Sequence, residues 1–229
     1  MKKDVAIILP VYNQESHVEI IYKNYIAKLN EEDFSYELIF VVNGSHDGSY
    51  EKCRSLANVN KNIKAYELKE SGWGRAVKFG IEKADADLIA YTNSARTQID
   101  DLITTIKFAK VDGNTVVKTN RIIRESFIRR LGSVIYNFEN RNFFNTAIWD
   151  VNGTPKVFPR HIIKNMEILC ENDLIDAELM ARCRKENITI IEVPVYSTGR
   201  ISGKSTTNLR SAMKMYFGLI KLKRRLDNE

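Results

Sequence analysis

The chain has 229 residues, 44% of them hydrophobic, which suffices for one substantial core in a single domain with elaborations. Its apolar runs are far shorter than the roughly 20 residues of a membrane-spanning helix, and no export signal precedes the first strand-like run, so a cytoplasmic location is expected. The formal charge of +6 predicts an anionic partner: a phosphorylated small molecule, an acidic membrane surface or nucleic acid.

Strand-like and helical patterns alternate along the first half of the chain. Strands are predicted near residues 4–10, 37–42, 62–68, 87–92 and 114–118. Helices are predicted between the first four strands, at 18–29, 50–59 and 75–84. This order predicts an α/β fold with a mostly parallel central sheet and helices on both faces. Ligands of such sheets bind outside the carboxyl ends of the strands, where functional residues are therefore expected.

The turns after the first three strands carry residues that can contact a ligand. Pro10 is expected to break the first strand, and Asn13 or Ser16 to cap the helix that follows. The second turn, VVNGSHDGS, has glycines that allow close backbone approach and Asp47 as a helix cap. The third, GWG, lacks the spacing of a dinucleotide or phosphate-binding loop. Taken singly, each is also compatible with an ordinary tight turn.

The order and spacing of these segments resemble family 2 glycosyltransferases of the GT-A fold. The segments ILPVYNQE, VVNGSHDGS and GWGRAVKFGIEKADADLIAY are similar to the family's first nucleotide-binding turn, its Asp-Asp-Gly-Ser turn and the helix and strand before its metal site. The similarity continues through DVNGTPKVFPR, DLIDAELMARCRKENITIIEVPV and RISGKS, so it covers nearly the whole chain. The segment between Arg121 and Asp150 looks most like the polyprenyl-phosphate (dolichol-phosphate) mannosyl- and glucosyltransferase branch.

The resemblance implies a GT-A (Rossmann-like) domain and a donor that is a UDP- or GDP-linked sugar. The domain would span 1–206, with a nucleotide-binding half at 1–118 and an acceptor half at 119–206. The implied nucleotide-binding residues are Pro10, Tyr12, Glu15, Asn43, Asp47, Gly74, Arg75, Lys78 and Asn93. Val42 and Asn43 stand in place of the family's two carboxylates, although an asparagine can still offer an acceptor and donors to a base edge.

The segment Asn93-Ser94-Ala95 occupies the position of the family's Asp-x-Asp motif, whose carboxylates hold Mg²⁺ or Mn²⁺ against the donor diphosphate. Hard divalent cations prefer anionic oxygen ligands, and this segment supplies none, so a conventional metal site is not expected. The charge of the leaving diphosphate must still be stabilised, and Arg96 is the candidate, with Arg75 or Lys78 as helpers. Two alternatives stay open: a displaced metal site at 98–101, around Gln98 and the two aspartates Asp100 and Asp101, or loss of catalysis.

A basic segment near the end of the chain, RISGKS, corresponds to a mobile loop that closes over the donor diphosphate in the family. The resemblance therefore adds Arg200, Lys204 and Ser205 as diphosphate-binding residues. As a bare sequence the segment would be an ordinary basic loop.

The segment 121–150 is expected to bind the acceptor. A helical stripe of apolar residues leaves Arg129 and Ser133 on the opposite face. The stripe consists of Phe127, Ile128, Leu131, Val134, Ile135 and Phe138. The resemblance aligns Arg121, Arg129 and Ser133 with residues that bind a lipid phosphate, and it places Asp150, Asn152 and Gly153 in the sugar and acceptor site. A solvated helix face is the alternative.

These expectations define a reaction. A polyprenyl phosphate is already anionic, so it can attack the anomeric carbon in one in-line displacement with inversion, without a general base. A hydroxyl acceptor, such as a lipid-linked saccharide, would need a base, for which Asp173 and Asp176 are candidates unless they cap the helix predicted at 177–185. The expected protein is a hexosyltransferase-type enzyme. The alternative is a catalytically silent relative that binds a nucleotide sugar or a partner transferase.

The segment 207–229 is predicted to be a basic amphipathic helix. It either packs on the domain with a solvated basic end or lies on an anionic membrane. A peripheral location on the cytoplasmic membrane face, or a membrane-protein partner, is accordingly expected. A nucleic-acid partner is not, because the basic residues lack the interleaved aromatic residues of a known module.

Overall fold

The computed structural model describes residues 2–93, 95, 97–123, 127–196 and 209–228, with side chains placed in all of these except 123, 127–131 and 209–214. Within these ranges the strands are β1 (Lys3–Val11), β2 (Tyr36–Asn43), β3 (Ile63–Leu68), β4 (Ala86–Tyr91), β5 (Val116–Ile123), β6 (Lys156–Pro159) and β7 (Ile190–Tyr196). The helices are α1 (Val18–Leu29), α2 (Ser49–Val59), α3 (Trp73–Lys83), α4 (Ile99–Val111), α5 (Phe127–Phe144), α6 (Arg160–Asn165), α7 (Ile175–Lys185) and α8 (Leu209–Asp227).

The strands of the described residues form one sheet in the order β3-β2-β1-β4-β6-β5-β7. Neighbouring strands are parallel except at β6, which runs antiparallel to both β4 and β5. The predicted α/β fold with a mostly parallel sheet is therefore confirmed, and the five predicted strands and three early helices are all present.

Two apolar layers cover the faces of the sheet, because successive residues of a strand point to opposite sides. Val5, Ile7 and Leu9 of β1 pack in the layer that contains α1, α2 and α4. Ala6 and Ile8 face the other layer, which contains α3, α6, α7 and α8. The fold is thus a three-layer sandwich with the sheet in the middle.

The first strand does not end at Pro10, contrary to the prediction. Pro10 is buried inside β1 and pairs in register with Val41 of β2. On the other side of β1, the pairing with β4 stops at Ile8 and Tyr91. A proline lacks a backbone N–H, which costs nothing at a strand position where that side of the ladder has already ended.

The C-terminal helix α8 packs on the domain with its apolar side. Leu219, Leu222 and Leu226 are buried in the core, whereas the basic residues Lys221 and Arg224 point to solvent. The first of the two arrangements expected for this segment is therefore the one observed. No helix among the described residues has the length and apolar character needed to cross a bilayer.

Candidate active site

The carboxyl ends of β1, β2, β4 and β5 and the amino end of the antiparallel β6 open on the same edge of the sheet. Most of the predicted site residues that the structure describes lie at this edge or in the loops beyond it. The site has two sides, the turns after β1 to β4 and the segment around β5 and residues 149–156.

The turns after β1 and β2 hold each other through hydrogen bonds. The Asp47 carboxylate accepts the Glu15 N–H at 3.0 Å and the Ser49 N–H at 3.1 Å, while Glu15 accepts the Gly48 N–H at 3.0 Å. Burial raises the pKa of Asp47, but hydrogen bonds from Ser49 and Glu15 outweigh it, so the net shift is downward. Glu15 and Asp47 therefore hold the shape of the two turns, beside which the Tyr12 ring is about half exposed.

The predicted caps of α1, Asn13 and Ser16, are wrong, and Asp47 lies one residue before the N-cap position of α2. Helix α1 starts after His17 and α2 after Gly48, and neither helix has a side-chain cap. Asn13 has a left-handed backbone with φ 48° and uses its side-chain oxygen to accept the His46 N–H at 2.9 Å. Contacts between the two turns take the place of a cap on α1, whereas Asp47 accepts the N–H of Ser49, the first residue of α2.

The side chain of Asn43 is buried and engaged on both sides. Its amide donates to the Val11 carbonyl at 2.8 Å, and its oxygen accepts the Gly72 N–H at 3.0 Å. A carboxylate at this position could accept but not donate, so the link to Val11 requires asparagine. The Asn43 side chain thus joins β1, β2 and the loop before α3, and its contact with a base edge stays a prediction.

The start of α3 is covered by the loop before α7. A Cβ atom on Gly74 would lie 2.4 Å from the Asn172 carbonyl oxygen, so only glycine fits there. The Arg75 N–H donates to the Glu171 carbonyl at 2.9 Å, and its guanidinium pairs with the carboxylates of Glu171 and Glu70. Gly74 and Arg75 thus anchor this loop, whereas Lys78 lies further along α3 and is partly exposed.

The turn after β4 stands where the family has its Asp-x-Asp motif, and hydrogen bonds join its described residues to one another. The Asn93 side-chain oxygen accepts the Ala95 N–H at 3.2 Å, and the hydroxyls of Thr92 and Thr97 are 2.5 Å apart. The Ala95 side chain points into the protein. Arg96, the predicted diphosphate ligand, lies outside the described residues.

The oxygen ligands that the described residues of this region offer do not suit a hard divalent cation. Asn93 offers one neutral oxygen that is already hydrogen-bonded, and Ala95 offers none. Asp100, in the first turn of α4, pairs with Lys28 at 3.3 Å. Across the described residues, no three His, Cys, Asp or Glu side chains come together as metal ligands. The displaced metal site around Gln98, Asp100 and Asp101 thus gains no support from the described residues and stays a prediction.

A buried ion pair lies beneath the end of β4. Lys156 of β6 pairs with Asp176 of α7, which also accepts the hydroxyl of Tyr91 at 2.7 Å and the indole N–H of Trp73 at 3.3 Å. Burial lowers the pKa of Lys156 to about 8 against the opposing effect of Asp176. Because Asp176 is buried with three partners, it is poorly placed as a general base, whereas Asp173 in the preceding loop is exposed.

Arg121, at the carboxyl end of β5, forms a two-pronged ion pair with Asp150. Its Nε lies 2.7 Å and its Nη2 2.9 Å from the two carboxylate oxygens of Asp150, and its backbone N–H donates to the same group at 3.1 Å. Its other nitrogen, Nη1, has no hydrogen-bond partner within the described ranges, and 21% of the side chain is exposed. Arg121 is thus held rigidly, with one donor group that no described residue uses.

Asn152 and Ser133 lie on the same side of the site. The side-chain oxygen of Asn152 is buried without a hydrogen-bond partner in the described part of the chain, which makes it a candidate ligand contact. The Ser133 hydroxyl accepts a weak hydrogen bond from Asn137 at 3.3 Å. The side chain of Arg129 and the loop residues Arg200, Lys204 and Ser205 lie outside the described side chains.

Sequence reasoning missed a second buried ion pair next to Arg121. Lys118 pairs with Glu192 at 2.8 Å and donates to the carbonyl of Asp150, while Glu192 accepts the backbone N–H groups of Trp149 and Asp150. The sequence contained a signal for this pair, because Lys118 interrupts an apolar strand that the fold covers on both faces. The pair fixes the backbone from which Asp150 reaches Arg121.

Gly153 packs against the backbone of β5, and its replacement gives a stability test of this loop. A Cβ atom there would lie 2.0 Å from the Thr119 carbonyl oxygen, so Gly153→Ala is expected to lower the free energy of unfolding by about 1–3 kcal/mol or more. Gly132→Ala is the control, because a Cβ there meets nothing within 4 Å and α5 gains helix propensity. Urea unfolding measures both, and equal stabilities would contradict the packing of this loop.

Comparisons with known proteins agree with this architecture. Residues 6–166 match the model of the family described as Glycosyl transferase family 2. The undecaprenyl-phosphate 4-deoxy-4-formamido-L-arabinose transferase of Aeromonas hydrophila is 26% identical over 221 residues, covering 95% of this chain and 67% of that protein. The protein of the same name from Proteus mirabilis is 26% identical over 165 residues, covering 71% of this chain and 51% of its own length.

Solved structures of glycosyltransferases share the fold. Glucosyl-3-phosphoglycerate synthase from Mycobacterium tuberculosis, in complex with Mg²⁺ and UDP, superposes with a TM-score of 0.71 at 15% identity, covering 96% of this chain and 78% of that one. Its complex with Mn²⁺, UDP and glucosyl-3-phosphoglycerate gives a TM-score of 0.71 at 14% identity, covering 96% and 80%. With a GT-A sheet, a site at its carboxyl edge and a family match over most of its length, the chain belongs to glycosyl transferase family 2.

Proposed function

We propose that the protein transfers a sugar from a nucleotide sugar to a polyprenyl phosphate, at the cytoplasmic face of a membrane and without a divalent metal. The observation that carries the proposal is Arg121, which is fixed by Asp150 at the carboxyl edge of the sheet, with its Nη1 not hydrogen-bonded to any described residue. An arginine held in this way can bind a phosphate oxygen without losing its own ion pair. The printed names of the relatives, undecaprenyl-phosphate sugar transferases, support the same acceptor class.

The proposed reaction needs no general base. An oxygen of the acceptor phosphate forms a bond to the anomeric carbon, and the bond from that carbon to the donor diphosphate breaks with inversion. The nucleoside diphosphate leaves with the electron pair, and no proton moves. Arg121 orients the attacking phosphate, with Asn152 beside it. The buried pair of Lys156 and Asp176 fixes the end of β4, from which the turn toward Arg96 starts.

We assign the stabilisation of the charge that develops on the leaving diphosphate to basic side chains. Arg96 follows the turn after β4, and Arg200 and Lys204 belong to the segment that resembles the family's closing loop. Such cations can stabilise a leaving diphosphate where carboxylates that would hold a metal are missing. Arg75 is a weaker candidate, because it already pairs with Glu70 and Glu171.

Binding of the donor provides the first test. We expect one among UDP, GDP, CDP and their sugar conjugates to raise the melting temperature equally with manganese and with a chelator. A ligand at 100 times its dissociation constant stabilises a protein by about 2.7 kcal/mol, which is readily measured. Arg96→Ala should remove most of this stabilisation, whereas Arg224→Ala, on the exposed side of α8, should leave it unchanged.

Each contrary result points to a defined alternative. Stabilisation that requires manganese would mean a metal site and would overturn the arginine assignment. Stabilisation by a nucleotide sugar without transfer to a short-chain, water-soluble prenyl phosphate would favour the catalytically silent relative, which the missing acidic motif also suggests. Transfer to a saccharide hydroxyl instead would point to a base such as Asp173.

A further inference from the structure

Helix α5 packs on the core through Tyr136, Phe143 and Phe144, but it also exposes apolar side chains on its outer side. The apolar residues Val134, Ile135 and Phe138 on its outer side are 54%, 50% and 58% exposed. On its inner side Asn137 and Asn140 are buried, and Asn137 accepts the Val151 N–H at 3.0 Å. These three members of the apolar stripe predicted from the sequence therefore face away from the core, and the other three lie outside the described side chains. An exposed apolar face on a helix indicates an apolar partner.

Two further apolar side chains accompany this helix. Trp149 is 65% exposed, and the guanidinium of Arg141 on α5 stacks 4.7 Å from its ring centre. Ile122, directly after Arg121 on β5, is also about half exposed. Tryptophan and arginine together are typical of the boundary between hydrocarbon and water. We call Val134, Ile135, Phe138 and Trp149 the α5 outer face.

The neighbouring helix α8 supplies positive charge rather than an apolar face. It packs beside α5 through Tyr216, whose ring centre lies 6.2 Å from that of Phe143. Leu219, Leu222 and Leu226 are buried. The basic residues Lys221, Arg224 and Arg225 are exposed, as is Phe217. A second copy of the chain would bring these like charges together, whereas an anionic surface would neutralise them.

We propose that the α5 outer face is the surface by which the protein docks on an anionic lipid bilayer. This inference rests on the proposed function, because a polyprenyl phosphate carries its phosphate at such a surface. The inner side of the same helix carries Ser133 toward the site, so one helix would contact the bilayer and the acceptor head group. Helix α5 then supplies the apolar contact with the bilayer, and the C-terminal helix α8 contributes positive charge.

Vesicle binding tests the proposal with the full chain. Wild-type protein should co-sediment with vesicles of phosphatidylglycerol and phosphatidylethanolamine, and Ile135→Glu/Phe138→Glu should bind at least about tenfold more weakly. The matched control is Phe108→Glu/Val111→Glu on α4, where both side chains are also exposed and the sequence spacing and charge change are the same. Helix α4 lies on the opposite face of the sheet, so this variant should bind like the wild type. Circular dichroism and melting temperature verify folding.

The outcomes separate the docking surface from the proposed reaction. The docking surface would be overturned if the wild-type protein did not bind the vesicles, or if both double variants lost vesicle binding equally. A wild-type dimer that Ile135→Glu/Phe138→Glu converts to a monomer, without vesicle binding, would identify a self-interface instead. Transfer to a short-chain, water-soluble prenyl phosphate should be unchanged in Ile135→Glu/Phe138→Glu. Loss of vesicle binding in that variant would support docking even if no acceptor is glycosylated.

Discussion

Replacing Lys156 with methionine is expected to lower the free energy of unfolding by about 3–5 kcal/mol, as when one partner of a buried ion pair is removed. Lys156 is fully buried, and its ammonium pairs with Asp176. Methionine fills much of the same space but leaves the Asp176 carboxylate in the core without a cation. The hydroxyl of Tyr91 and the indole of Trp73 still donate to it, but neither neutralises its charge.

A second variant distinguishes the buried charge from a simple packing defect. Lys156→Met/Asp176→Asn should recover most of the lost stability, because the amide keeps an acceptor for Tyr91 and carries no charge. Lys107→Met breaks the surface pair with Glu32, 2.7 Å apart, and should cost less than about 1 kcal/mol. Urea unfolding followed by circular dichroism measures all three. If Lys156→Met lost no more than Lys107→Met, the pair would not stabilise the end of β4.

The fold could be predicted from the sequence because its first half follows simple periodicities. β1 and β2 are apolar runs covered on both faces, and the helices between the strands show apolar residues at helical spacing. β6 was harder, because it has four residues, includes Pro159 and runs against its neighbours. A strand this short gives no periodic signal, and it is fixed by the strands on either side of it.

The candidate site was predictable in position but less so in detail. The resemblance pointed to the carboxyl edge of the sheet, yet several named side chains bind other protein groups there. Arg75 pairs with Glu171, which is 96 residues away in the sequence, and Trp73 donates to Asp176 across 103 residues. Local patterns carry no information on such partners. An asparagine, a glycine and an arginine in a loop look the same whether they bind ligand or backbone.

The orientation of α5 shows a further limit of sequence patterns. A helical stripe reveals that a helix is amphipathic, but not which side meets the protein. The contacts of the inner side decide the question, since Asn137 accepts the Val151 N–H and Tyr136, Phe143 and Phe144 pack on the core. The exposed residues Val134, Ile135 and Phe138 are then left for a partner outside the domain.

Replacing Arg121 with lysine is expected to reduce transfer to the acceptor by about 10- to 100-fold in kcat/KM, the loss typical of a hydrogen bond to a charged group. Lysine keeps a positive charge next to Asp150, so the protein should still fold. Its single ammonium cannot form the two-pronged pair with Asp150 and also present a donor held in a fixed direction. The KM for a short-chain prenyl phosphate should rise, while stabilisation by the nucleotide sugar should not change.

The matched control is Arg160→Lys, because Arg160 also pairs with an aspartate, Asp85, but at the opposite end of the sheet. This variant makes the same arginine-to-lysine exchange far from the site, so it should retain wild-type kinetics. A parallel loss in both variants would indicate a general effect of arginine-to-lysine exchange. If Arg121→Lys kept full activity while its melting temperature fell, Arg121 would serve only to hold Asp150. The acceptor phosphate would then have to be bound by other side chains, such as Arg129.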